Sequence, residues 1–355
     1  MIQEERTLAR GRSDRMQAVR AQSFGTPDVL VLEEVPVPQP GPGRVLIRVE
    51  SAGVNFSDVK RRRNDAYPFP TTLPYTPGGE VAGTVEALGE GVEGPPVGTP
   101  VFALAGEDGS TGYAQFALAN ASGVIPTPPG LSADVASALV IAGSTALLLL
   151  KEAAHLRAGE AVLVQGAAGG VGSYAVQVAK LLGAGTFIGA AGTPEKREAV
   201  LALGADHAVD YTQEDWPKQV RELTGGRGVD VVLEMAGGAA FQQGLSCLAP
   251  FGRALVYGSS SGEPLRMGPE TIDAFFYDPS PNQSLVAFNL GLWFALRPDI
   301  AAGALKTLIE FVVSGRVKVQ VGHVLPLSQA AEAHRMLEER RTTGKIILKP
   351  WETGR

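Results

Sequence analysis

The sequence predicts an α/β protein of two domains, one β-rich and one built on a doubly wound parallel sheet. Its 355 residues exceed what a single hydrophobic core usually serves. Before about Gly130 the chain reads as short apolar runs between Pro and Gly turns, and from Val135 onward strand and helix patterns alternate. Residues 161–182 spell an apolar strand, a glycine-rich turn and a helix in succession.

Residues 1–15 are polar and mixed in charge, with Glu4, Glu5 and Asp14 among the arginines, and read as a disordered leader rather than a targeting signal. Residues 31–35, 44–49 and 81–88 read as strands of the first domain. Pro36, Pro38, Pro40 and Pro42 mark an extended connection, because Pro cannot donate to a sheet ladder. Residues 135–150 are the most apolar stretch. They fall short of the roughly 20 residues that a bilayer requires and read as buried helix. Residues 161–164, 186–191, 207–209, 229–233, 253–257 and 284–288 then supply the strands of a parallel sheet. After the first of these, Val171, Ala175, Val178 and Leu182 share one helical face. After the second, Thr193 and Pro194 offer an N-cap and a first-turn proline for a helix closing at Gly204. Two amphipathic helices (301–313 and 329–340) and a last strand at 345–348 return to the first domain. The expected division is therefore 16–140 with 289–355 as one domain, and 141–288 as an insertion.

Hydrophobic residues make up 45% of the chain and charged residues 19%, as in ordinary soluble globular proteins. A formal charge of -6 disfavours a nucleic-acid partner, since phosphate backbones demand a basic surface. No segment reads as a membrane span. Cys247 is the only cysteine, which excludes an intrachain disulfide and a multi-cysteine zinc site and fits a reducing, cytoplasmic compartment.

The turn Gln165-Gly166-Ala167-Ala168-Gly169-Gly170-Val171-Gly172 carries the strongest chemical signal. A chain leaving a strand here must turn sharply, bring backbone N–H groups to a phosphate and pack its helix close to the sheet. Each task favours small residues. The helix N-terminus then offers unpaired donors and a positive dipole end to a pyrophosphate. Ala167 replaces the usual first glycine. An NAD site places an acid at the end of the second strand to hold the ribose 2′-hydroxyl. This chain has Ala190-Ala191-Gly192-Thr193 there, with no acid until Glu195, and Lys196, Arg197 and Tyr211 close by. That pattern favours NADP(H), the alternative for Lys196 and Arg197 being a solvated helix face.

Zinc requires Cys, His or carboxylate ligands, typically three from the protein at a catalytic centre. Glu80 has no neighbouring histidine, and the four histidines (155, 207, 323 and 334) are scattered, so no metal is expected.

A family resemblance rests on Ala52-Gly53-Val54-Asn55-Phe56-Ser57-Asp58, the Gly78–Gly83 stretch, Gly143-Ser144-Thr145-Ala146, the Ala167–Gly172 loop, Leu203-Gly204-Ala205-Asp206-His207 and the closing Gly344-Lys345. On these motifs, over nearly the whole chain after Met16, the sequence resembles the zinc-independent quinone oxidoreductase (zeta-crystallin-like) branch of the medium-chain dehydrogenase/reductase superfamily. The resemblance implies a GroES-like catalytic domain, a Rossmann domain and a dimer or tetramer; a homodimer is expected, because an apolar sixth strand at a sheet edge needs covering. It implies hydride transfer from NADPH to a quinone or an activated C=C bond such as an enone or alkenal. It places Asn55 and Thr145 near the nicotinamide and Tyr67 on the substrate side, as catalytic candidates. Ala167, Ala168, Gly169, Gly170, Val171 and Gly172 would surround the pyrophosphate; Thr193, Lys196 and Tyr211 the 2′-phosphate. Gly258 and Ser259 would give backbone contacts, Phe288, Asn289 and Leu290 would pass the carboxamide end, and Lys345 would close the site. Lys60 departs from the tyrosine common in relatives, so the substrate wall is expected to differ. An enoyl-thioester reductase, with Arg61, Arg62 and Arg63 as a basic path for a carrier phosphate, and a non-catalytic NADPH-binding protein are the alternatives.

Overall fold

A computed structural model describes residues 14–263, 265–277 and 281–352. Residues 1–13 of the expected leader 1–15 lie outside the described residues, and its last residue, Arg15, already opens the first strand. The described chain divides into two compact units: residues 14–137, 324–336 and 347–352, and residues 138–323 with 337–346.

The first unit begins with an antiparallel pair, β1 (Arg15–Ala21) and β2 (Leu30–Pro36), in register from Arg15 opposite Pro36 to Ala21 opposite Leu30. The hub is β3 (Arg44–Val54), whose Val45, Ile47 and Val49 are buried by the alternation of a pleated strand. β3 ends at Asn55, where the chain turns into α1 (Phe56–Arg63). After a long irregular segment come β4 (Glu80–Leu88), β5 (Pro100–Leu104), β6 (Phe116–Asn120), β7 (Ile125–Pro126) and the short helix α2 (Ala133–Ala136).

In the second unit, the apolar stretch is helical and buried as expected, but it is not one regular helix. Two π-helical runs, Leu139–Gly143 and Leu148–Ala153, flank α3 (Ser144–Leu147). There follow β8 (Ala161–Gln165), α4 (Gly170–Leu181), β9 (Thr186–Ala190), α5 (Pro194–Ala202), β10 (His207–Val209), α6 (Trp216–Leu223) and β11 (Val229–Glu234). Next come α7 (Gly238–Ser246), β12 (Leu248–Val256), α8 (Pro269–Phe276), β13 (Ser284–Ala287), α9 (Leu290–Leu296) and α10 (Pro298–Val313). The six strands β10-β9-β8-β11-β12-β13 form one sheet whose neighbours are all parallel. β8 and β11 are buried at every position, as strands covered on both faces must be. Sequential order reverses between β8 and β11, which opens a crevice at their carboxyl ends.

The chain closes with β14 (Val321–Pro326), α11 (Ala330–Glu338) and β15 (Lys345–Lys349). They complete a seven-stranded sheet, β14-β15-β3-β4-β5-β7, with β6 also on β3. β14 was not expected from the sequence, since Gly322 and Pro326 interrupt its alternation. The division of the chain differs from the expected one as well. Residues 289–323 and 337–346 fall with the parallel sheet. The cause is packing: α10 buries Ala301, Ala304, Leu305 and Leu308. A Cβ on Gly143 would lie 2.2 Å from Leu308 Cδ2, so this helix sits against the bare backbone at Gly143.

Candidate dinucleotide and acceptor sites

The turn after β8 is shaped by backbone contacts. Gly166 adopts φ +61°, its carbonyl accepts from Gly169 N at 2.9 Å, and Ala167 N donates to Ala190 O at 3.1 Å. Gly169 is the extended N-cap of α4. At Gly172 a Cβ would stand 2.4 Å from Gly166 O and 2.6 Å from Ala167 Cα, so only glycine lets the helix approach the strand. Ala167 and Ala168 are buried, and Val171 lies in the first turn of the helix. The closing segment lies on this turn: Gly344 N donates to Ala168 O at 2.7 Å, and a Cβ on Gly170 would be 3.1 Å from Lys345 Cδ. The unpaired first-turn N–H groups of a twelve-residue helix make an anion cradle.

At the end of β9 the chain carries no acid at Ala191. Thr193 caps α5, its hydroxyl oxygen accepting from Lys196 N at 3.3 Å. Tyr211 stands over Gly192, whose Cβ would lie 3.2 Å from the Tyr211 hydroxyl. Lys196 Nζ donates to the Arg340 carbonyl at 2.5 Å, and the Arg340 guanidinium lies 5.9 Å from the Tyr211 ring centroid. Partial burial, with Arg340 nearby, holds the Lys196 ammonium below its ordinary pKa. Lys196, Tyr211 and Arg340 thus converge on one spot. Arg197 is no solvated residue: it pairs with Asp210 at 2.8 Å and donates to Ala191 O at 3.3 Å. Sequence reasoning missed Arg340, although the Arg340-Arg341 pair just before the closing strand was visible.

At the crevice itself, Gln165 and Glu234 end β8 and β11. Buried Glu234 accepts from Ala236 N and Gly237 N, both at 2.8 Å, and burial raises its carboxyl pKa. Gly258 and Ser259 follow β12, where the Ser259 hydroxyl donates to Glu263 O at 2.8 Å. Phe288 N donates to Val256 O at 2.9 Å, and its ring stacks on Trp293 at 6.0 Å. Asn289 caps α9 by accepting from Leu292 N at 3.3 Å, and Leu290 is the first helical residue. Thr145 is buried in α3 and donates its hydroxyl to Ile141 O at 2.7 Å.

In the first unit, Asn55 caps α1. Its N–H donates to Asp58 Oδ2 at 2.9 Å, and its amide Nδ2 donates to Glu80 Oε1 at 3.0 Å and, more weakly, to Gly53 O at 3.4 Å. Asp58 also accepts from the Tyr113 hydroxyl at 3.1 Å, and that hydroxyl lies 3.3 Å from His334 Nε2. Glu80, considered from sequence only as a zinc ligand, is fully buried and orients the Asn55 amide. Tyr67 is half-buried and hydrogen-bonded to Ser57, in the first turn of α1 beside Asn55. Burial and the Asp58 charge raise its phenol pKa. Tyr67 therefore stays protonated at neutral pH and can donate a hydrogen bond, but it is a poor source of a transferred proton. Arg61 and Arg62 are buried, contrary to their reading as an exposed basic path.

Among the described residues no three His, Cys, Asp or Glu side chains lie where they could hold one metal ion. The histidines sit in separate elements, His207 in β10, His323 in β14 and His334 in α11, with His155 in a loop. Burial pushes the Cys247 thiol up to about 12, leaving it inert as a ligand or nucleophile. No helix among the described residues is long and apolar enough to cross a membrane.

Comparison with known proteins gives a consistent picture. The family described as alcohol dehydrogenase GroES-like domain matches residues 41–137, and that described as zinc-binding dehydrogenase matches residues 170–276. The donor set above does not fit the zinc of the second description. The chain is 37% identical over 333 residues to a 2-haloacrylate reductase from Burkholderia sp, covering 92% of this chain and 96% of that protein. It is 34% identical over 337 residues to the quinone oxidoreductase of Sus scrofa, covering 94% and 97%. Among solved structures, Escherichia coli quinone oxidoreductase complexed with NADPH superposes with a TM-score of 0.85 at 29% identity, covering 94% of this chain and 100% of that one. A mycobacterial protein complexed with NADPH gives 0.85 at 34% identity with the same coverage.

Proposed function

Because the chain belongs to the medium-chain dehydrogenase/reductase superfamily, in its zinc-independent quinone oxidoreductase branch, we propose that it is an NADPH-dependent reductase of quinones or activated C=C bonds. The observation that carries this reading is the meeting of Lys196, Tyr211 and Arg340 beyond an acid-free strand end, beside a turn that only Gly172 permits. Two cations and a phenol suit a 2′-phosphate, which charge-assisted hydrogen bonds hold best. NADPH, when bound, supplies a hydride.

The chain's own residues bind, orient and polarise. The α4 N-terminus and the Ala167–Gly172 turn hold the pyrophosphate, with Thr193 at the adenosine end. Gly258, Ser259 and the 288–290 segment supply backbone and cap atoms for the carboxamide, and Lys345 closes over the turn. Asn55, held by Glu80, polarises the acceptor oxygen by releasing its weaker bond to Gly53 O. Tyr67 donates a second hydrogen bond, and water supplies the proton. Thr145 orients the nicotinamide after its hydroxyl turns away from Ile141 O.

The enoyl-thioester alternative loses support from Arg61 and Arg62, which are buried, and keeps only the half-buried Arg63 as a cation for a carrier phosphate. A second copy covers the open edge of the parallel sheet at β13, where Leu285 is exposed and the flanking helices α8 and α9 bury no residue. The test is NADPH oxidation with a panel of a benzoquinone, an alkenal, a 2-haloacrylate and crotonyl-CoA. Turnover of the first three classes, and of crotonyl-CoA least, is expected. Tight NADPH binding with no oxidation by any member would instead make this a non-catalytic binding protein.

A further inference from the structure

The segment between α1 and β4 carries Tyr67 but no helix or strand beyond an isolated bridge from Tyr75 to Ala21. Irregular loops of this length in a compact unit usually serve a function and need something to fix their shape. Here that element is one side chain. Arg61 is 2% exposed, and its Nε donates to Thr71 Oγ1 at 3.1 Å. Its Nη1 donates to Asp108 O at 3.1 Å and its Nη2 to Asp108 Oδ2 at 2.5 Å. The guanidinium carbon lies 4.8 Å from the Tyr75 ring centroid and 5.3 Å from that of Tyr67. A single buried cation thus grips residues 67, 71 and 75 of the loop and ties them to Asp108 on another. A desolvated guanidinium is costly unless its planar fork and both faces are used, so the arrangement is held as a unit.

The Tyr67 ring also rests on Phe69 at 6.2 Å, and its hydroxyl bonds Ser57, two residues after Asn55. We propose that Arg61 is a positioning residue that fixes residues 65–76 as the acceptor-side wall and so sets the size of acceptor that is reduced. The proposal rests on the roles given above to Asn55 and Tyr67. Lysine would keep the charge but lose the fork, and methionine would lose both.

The experiment uses the full chain with Arg61→Met, Arg61→Lys and Asp108→Asn, the last changing a partly exposed partner that leaves the buried packing in place. Amide hydrogen exchange over 65–76 should quicken by about tenfold or more in R61M and D108N, while 161–182 stays protected. The kcat/KM ratio of a fused-ring naphthoquinone to a one-ring benzoquinone should rise by about fivefold or more, with NADPH affinity within about twofold. R61K should fall between wild type and R61M. Equal losses for both quinones, or a ratio within about twofold of wild type in R61M and D108N, would overturn the specificity role. Unchanged exchange over 65–76 would overturn the clamp itself. Absence of turnover in the wild type would instead overturn the functional reading, leaving exchange to decide the clamp.

Discussion

On the function proposed above, Lys196 and Arg340 would each give the 2′-phosphate one charge-assisted contact. Removing either by Lys196→Ala or Arg340→Ala should weaken NADPH by about tenfold to 100-fold and NADH by less than about twofold, read by fluorescence titration. Equal weakening of both cofactors would place the two cations elsewhere. His334 gives a second residue-level consequence. Burial beside Arg62 and Arg63 pushes its pKa from 6.5 down to about 3. The folded chain then binds fewer protons than the unfolded one. The stability is full above pH about 6.5 and is lost as pH falls toward 3. Between pH 6.5 and 5 the loss is about 2 kcal/mol, and urea midpoints for wild type and His334→Gln should show a flatter pH dependence in the variant. At this scale the sequence was legible in local placement, as with Thr193 and Pro194, which cap and open the helix after β9 as expected. It was not legible where a partner comes from far along the chain. Arg340 is more than a hundred residues from Lys196, and nothing local to Asn55 announces Glu80.

Among the elements, the β8–α4 unit leaves no room for a side chain at Gly172. Gly172→Ala would drive a methyl group into Gly166 O and Ala167 Cα. We expect a loss of about 1–3 kcal/mol and of NADPH binding together, measured by thermal unfolding and titration. Wild-type affinity in that variant would contradict the close approach of helix to strand. The helix α10 is held by its buried face. Leu308→Ala should cost about 2–5 kcal/mol of unfolding free energy without touching the turn, because Leu308 is fully buried against Gly143. The strands of the parallel sheet could be read from their continuous apolar runs. β14 could not, because its pairing rather than its composition makes it a strand. The π-helical runs at 139–143 and 148–153 likewise leave no mark in an apolar pattern that suits any buried helix.

For the molecule as a whole, the two-unit organisation was legible from the change in rhythm at Val135, but the assignment of 289–323 was not. Those residues follow the sixth strand, and only the packing of α10 decides which core they join. The same scale governs assembly. Static light scattering should report a dimer, and Leu285→Lys at the β13 edge should give a monomer that still binds NADPH; a wild-type monomer would contradict the paired edge. Hydride transfer from NADPH placed by the glycine turn can be followed directly with an isotope. An enone is turned over with NADPH deuterated at the transferred position of C4, and the product is examined by mass spectrometry. One deuterium is expected in the product, at the carbon β to the carbonyl. Reduced product without the label, or cofactor bound with no product formed, would contradict it.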